Sequence, residues 1–199
     1  MKFSENLDFN TFLGHHTLLY GETDTRKTYY TAKFVQFLLT VKNIAPNEIS
    51  ILDFGPKLFK YYGIKIGGRI EDFFPQSLKC NNIGFRGEII PPRLRASNKE
   101  QLYNNACKNY ERTSEIVEKF NDNPTSILII NDISIYLHLG SKYHLLDTIK
   151  NSDTFFGNTY YGMSIKQDFA KLFSLKEKRR IEFLLKNVEF SYITTKKKE

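Results

Sequence analysis

One stretch constrains this chain more than any other: His16-Thr17-Leu18-Leu19-Tyr20-Gly21-Glu22-Thr23-Asp24-Thr25-Arg26-Lys27-Thr28. The apolar run 18–20 reads as a buried strand that stops at Gly21. Beyond Thr28, Ala32, Val35, Leu38 and Leu39 recur at helical spacing, and Phe34, Phe37 and Val41 broaden the stripe. A helix that apolar is buried against a sheet. Asn43, Pro46 and Asn47 end it, and Ile49-Ser50-Ile51-Leu52-Asp53-Phe54, bounded by Gly55-Pro56, predicts a second buried strand that ends in a carboxylate. Strand, tight loop, helix and strand open an α/β domain, expected here as a three-layer sandwich on a mostly parallel sheet.

The loop itself carries chemistry. A glycine-led turn that opens a helix at Lys-Thr follows the phosphate-loop pattern G-x-x-x-x-G-K-[ST] and predicts a P-loop NTPase fold. Backbone N–H groups entering a helix N-terminus curl around an anion, a lysine reaches the outer phosphates, and a hydroxyl ligates Mg²⁺ beside them. Gly21, Glu22, Thr23, Asp24, Thr25, Arg26, Lys27 and Thr28 are therefore the predicted nucleotide-binding residues, with Thr28 also on the metal. Arg26 departs from the pattern, which has glycine there. An arginine is expected to fit only with negative φ and a side chain that points outward or along the phosphate chain.

Downstream, residues 55–88 are rich in Gly, Phe and Tyr and read as an insertion. Ile89 to Leu94, with Pro91-Pro92, suggests an edge-like strand. Ser97-Asn98-Lys99-Glu100 is a capping box opening a helix that Asn121-Asp122-Asn123-Pro124 stops. Ser126-Ile127-Leu128-Ile129-Ile130-Asn131-Asp132 is then a fully buried strand running into a carboxylate. Downstream of a phosphate loop that is the place of the Mg²⁺-associated aspartate, so Asp132 is a predicted metal residue; an ordinary helix N-cap is the alternative. A helix is expected from Tyr136 to Ile149, a polar aromatic loop over 151–162, a helix opened by a second capping box at Ser174-x-x-Glu177, a strand from Val188 to Ile193, and a frayed basic tail over 194–199.

The chain's 199 residues suit one domain, and its net charge of +7 suggests an anionic partner. Cys80 and Cys107 have neither metal-ligand spacing nor a disulfide framework, and His15-His16 lacks partner ligands at useful spacing. No stretch approaches the length of a membrane span and no signal peptide is evident, so no membrane partner and a cytoplasmic location are expected.

Gly21…Lys27-Thr28, the strand ending at Asp53 and the strand ending at Asp132 together resemble P-loop ATPases of the RecA/KaiC-like type. The resemblance implies ATP and Mg²⁺ as cofactors, with Lys27 and Asp53 as catalytic residues. Lys27 would neutralise the β- and γ-phosphates, and Asp53, where the group usually carries Glu, would polarise the attacking water. Glu22 is a second candidate for that role, although its place in the loop suits a solvated side chain. Arg69, Arg86, Arg93 and Arg95 are candidate arginine fingers, supplied in cis or by a neighbouring subunit.

Other readings stay open. A small-molecule or nucleotide kinase would need a lid, for which Lys176-Glu177-Lys178-Arg179-Arg180 is the candidate run. A degenerate loop also suits a nucleotide-binding scaffold or assembly subunit that does not hydrolyse, with a homo-oligomer or protein partner on the aromatic stretches. In a nucleic-acid-dependent ATPase, Phe155, Phe156, Tyr160 and Tyr161 would stack bases.

Overall fold

The computed structural model describes residues 1–3, 7–85, 87–165 and 168–196. β1 (His16–Gly21) feeds α1 (Lys27–Thr40), and β2 (Ile49–Asp53) is followed by a hairpin of β3 (Phe59–Tyr61) and β4 (Ile64–Ile66), then α2 (Ile70–Phe73) and the short β5 (Asn81–Asn82). The long α3 (Lys99–Asp122) leads to β6 (Ile127–Asn131), α4 (Ser134–Leu137), α5 (Lys142–Lys150), β7 (Thr154–Tyr160), α6 (Lys171–Leu185) and β8 (Phe190–Ile193). Six strands form one sheet in the order β5-β2-β6-β7-β1-β8, and each pairing within it is parallel. Helices cover both faces, so the chain is an α/β three-layer sandwich.

The period of two places the side chains. Leu18, Leu52, Leu128, Ile130 and Phe155 face α3 to α6, while Leu19, Ile51, Ile127, Ile129 and Phe156 face α1 and α2. On the α1 side Phe34 stacks on Phe156 with ring centroids 4.4 Å apart. Phe34, Phe156 and Phe12 are all fully buried. Truncating Phe156 to alanine removes a large volume from a closed layer and costs about 3–5 kcal/mol.

Several local expectations are corrected. Residues 154–160 are no loop: β7 lies in the middle of the sheet, and its residues are buried throughout. Residues 89–94 form no strand, because Asn109 on α3 takes up the Ile90 backbone instead; Ile90 N–H donates to Asn109 Oδ1 at 2.9 Å and Asn109 Nδ2 donates to Ile90 O at 2.7 Å. The expected helix 136–149 is broken into α4 and α5 around Gly140. The N-cap of α3 is Asn98, which accepts from Gln101 N–H at 2.9 Å. α6 begins at Lys171, so Ser174 and Glu177 lie inside it and cap nothing. The 194–199 expectation falls partly on 197–199, outside the described residues; Thr194, by contrast, is buried and donates its N–H to Tyr20 O at 2.8 Å. Among the described residues no helix is long and apolar enough to cross a membrane.

Candidate functional site

In a parallel sheet all carboxyl ends lie along one edge, and here that edge gathers Gly21, Asp53, Asn131 and Tyr160 in register: Gly21 pairs with Tyr160 and Asp53 with Asn131. Beyond it opens a cavity of about 1090 Å³, with the 23–28 loop, Asp132, His138, Asn158 and Tyr160 in its wall.

The loop curls tightly. Gly21 has φ 150°, and a Cβ there would sit 2.6 Å from the Thr194 carbonyl. Asp24 (φ 57°) and Arg26 (φ 63°) are both left-handed. Arg26 thus contradicts the expectation of negative φ: the chain keeps the backbone glycine would adopt and bears a steric cost of roughly 1–2 kcal/mol. Arg26 is exposed. From α1, Lys27 folds its ammonium back into the loop. Its Nζ donates to Gly21 O at 3.0 Å, to Glu22 O, and to Thr25 Oγ1 at 3.3 Å. Burial pushes its pKa down to about 8, against the opposing pull of Asp132, Glu22 and Asp24. This is a half-buried cation held by neutral oxygens.

Glu22 is half-buried and engaged rather than the free side chain the sequence suggested. Its carboxylate accepts from Met163 N–H at 2.5 Å and from the hydroxyl and N–H of Ser164, tying the loop to the 163–164 segment. Burial alone would raise its pKa, but these hydrogen bonds outweigh it and hold the group below its ordinary value.

Asn131, which sequence reasoning passed over for its neighbour, is the hub of the floor. It is fully buried, and all four of its hydrogen-bonding valences are used. Its Nδ2 donates to Asp53 Oδ1 at 2.6 Å and to Gly68 O at 3.0 Å. Its Oδ1 accepts from Thr28 Oγ1 at 3.1 Å and from Asn158 Nδ2 at 2.8 Å, and the Asn158 amide also donates to Thr31 Oγ1 at 2.9 Å. Thr28 is therefore aimed at Asn131, one residue before the predicted partner Asp132.

Asp132 follows with φ 55°, a strained conformation that turns it into the cavity wall. Its Oδ1 accepts from Ser134 Oγ at 2.7 Å, so the carboxylate caps no backbone N–H of α4. Burial raises its pKa, opposed by the Ser134 bond and by Lys27 and His138. Asp53 stands differently. Oδ1 accepts from Gly55 N–H at 3.0 Å and from Asn131, and Oδ2 accepts from Ile70 N–H at 2.8 Å. Burial pushes its pKa up to about 6 in spite of those three bonds. Both oxygens tie the segments after β2 together, and Asp53 is not part of the cavity wall.

Of the arginines, Arg93 is buried and held bidentate by Glu177, with contacts of 2.6 and 3.2 Å, and lies over the Tyr160 ring at 5.1 Å. It is committed to an intramolecular ion pair. Arg69 lies 3.8 Å from Glu71, and Arg95 lies over Phe59 at 5.6 Å; Arg86 is outside the described residues. Beside Glu177 sits His138, buried against Phe173, with neither ring nitrogen hydrogen-bonded among the described residues and Nε2 3.7 Å from the carboxylate. The basic run 176–180 belongs to the regular helix α6, whose Arg180 donates to Leu137 O at 2.8 Å and His138 O at 2.6 Å.

Among the described residues no group of three or more His, Cys, Asp or Glu is gathered for a metal. Mg²⁺ asks for less, one or two protein oxygens besides water and substrate phosphates, and the Thr28 hydroxyl and Asp132 carboxylate on the cavity wall fit that demand. Comparison with protein-family models and with curated proteins gave no match.

Proposed function

We propose that this chain is a Mg²⁺-dependent ATP-binding protein of the RecA/KaiC-like P-loop type, with slow hydrolysis. The observation that carries it is Lys27: an ammonium folded back onto two loop carbonyls and a hydroxyl, at the mouth of a helix, facing a cavity large enough for a nucleotide. The strand order adds support, since one strand, β7, separates β1 from the strand carrying Asn131-Asp132.

In this reading the 21–28 loop cradles the phosphates through its N–H groups, and Lys27 exchanges its carbonyl contacts for the outer phosphate oxygens. Mg²⁺, when bound with the nucleotide, neutralises charge on those oxygens. Thr28 would hold it directly and Asp132 would hold it through water. Asp53 moves from the catalytic role the resemblance implies to a positioning role, because both its oxygens are engaged; it fixes Asn131, which orients Thr28. With both Asp53 oxygens engaged in hydrogen bonds, turnover is slow in the isolated chain. Replacing Asp132 by asparagine tests this. ATP binding should survive within about tenfold while phosphate release falls by two orders of magnitude or more; unchanged release would remove Asp132 from the site. ATP binding without release by the natural chain would instead favour the scaffold reading.

A further inference from the structure

We propose that the β3–β4 hairpin is a contact for single-stranded nucleic acid. The ribbon and its flanks carry Lys57, Lys60, Lys65 and Arg69, of which Arg69 lies beside Glu71 at 3.8 Å. Alternation divides the ribbon into two faces. Phe59, Ile66, Tyr61 and Ile64 share one, and Ile66 is buried beneath it. Lys60 and Lys65 share the other and are directly opposed across the two strands. Like charges in that position repel. Lys57 pairs with Glu88 at 3.0 Å, but among the described residues neither Lys60 nor Lys65 has an acidic partner. An exposed lysine pair set against itself on a short ribbon is complementary to a run of phosphates.

The tip bears a second local cost. The two-residue turn Tyr62-Gly63 has φ 47° and 78°, the conformation that Asn-Gly fills most readily. Tyrosine is a poor choice for that backbone, yet Tyr62 stands there 89% exposed, its ring edge-on to Tyr61 at 4.5 Å. Folding has no use for an aromatic ring in that place, whereas a base does: every base has a face to stack, and phosphates on either side would meet the lysines. An acidic protein segment would satisfy the lysines alone and leave Tyr62 unexplained. Of the earlier candidates for base stacking, Phe155, Phe156 and Tyr160 are buried, and Tyr161 is half-buried with its hydroxyl donating to Glu182 Oε1 at 2.9 Å, so the hairpin takes over that role.

The hairpin is also anchored to the cavity. Gly68 N–H donates to Pro56 O at 2.9 Å, a Cβ on Gly67 would meet that same carbonyl at 2.6 Å, and Lys65 to Gly68 form part of the cavity wall.

The test is fluorescence anisotropy with labelled thymidine and uridine oligonucleotides and a DNA duplex, without nucleotide, so that its outcome is independent of the ATP reading. The natural chain should bind the single strands more tightly than the duplex. Lys60→Gln/Lys65→Gln should flatten the slope of log K against log salt by about 1.4. Tyr62→Asn should weaken single-strand binding roughly tenfold while raising the melting temperature, a combination that damage to the fold would not give. Absence of single-strand binding, binding unchanged in both variants, or equal affinity for duplex with no effect of Tyr62→Asn would overturn the proposal.

Discussion

Asn131→Asp is the most informative single substitution. The natural amide donates to Asp53 Oδ1 at 2.6 Å and to Gly68 O at 3.0 Å. A carboxylate cannot donate, so ionised it would face a second carboxylate at contact distance inside the protein. The pair relieves itself by keeping one proton. Asp53 already titrates near pH 6 in the natural chain. Holding one group of the pair protonated at pH 8, two units higher, therefore costs at least about 3 kcal/mol. The shared proton restores one donor, but Gly68 O stays unpaired, a further cost of about 1–3 kcal/mol that pH does not remove. Urea unfolding of both proteins at pH 8 and pH 5 reads the difference. The variant should be about 4–6 kcal/mol less stable at pH 8 and only about 1–3 kcal/mol less stable at pH 5. A deficit equal at the two pH values would refute the shared-proton account, and no deficit at either would remove Asn131 from the hub.

Other consequences follow from the same geometry. Because the folded pKa of Asp53 lies above its ordinary value, the native state binds the extra proton between about pH 4 and 6; the unfolding free energy of the natural chain relative to Asp53→Asn should fall by about 3 kcal/mol as pH rises through that window. A rise would reverse the sign assigned to Asp53. Glu177→Ala strands the buried Arg93 guanidinium and should cost about 3–5 kcal/mol in chemical denaturation, much of it recovered by adding Arg93→Met; a loss below 1 kcal/mol would show the pair to be solvated. Arg26→Gly relieves a left-handed arginine and should stabilise the chain by about 1 kcal/mol in the same assay, with ATP binding retained.

The layered fold was legible because apolar runs 18–20, 49–52 and 127–130 and the stripe of α1 announce buried strands and a covering helix. β7 was not, since Gly157, Asn158 and Thr159 interrupt its pattern, and only tertiary burial of both faces makes Phe155-Phe156 a central strand. Lys27 and Thr28 were readable from spacing. Asn131 could have been read from parity: Ile127 and Ile129 face α1, so residue 131 continues onto the side where Thr28 starts that helix. Asp132 breaks that parity through a left-handed backbone, which spacing does not encode. Glu177 looked like a cap because Ser-x-x-Glu is a local signature, while its real partner, Arg93, is remote in sequence and brought near only by packing of the 91–94 segment on α6.

The central claim, that the 21–28 loop is a nucleotide site, is tested most directly by calorimetric titration of Mg²⁺-ATP into the natural chain and into Lys27→Ala, at pH 7 and pH 9. The natural chain should bind, the variant should lose at least about tenfold in affinity, and the natural chain's Kd should rise about tenfold at pH 9, where an ammonium with a pKa of about 8 is largely neutral before the ligand arrives. Equal affinity of the two proteins, or no binding to the natural chain, would contradict the account.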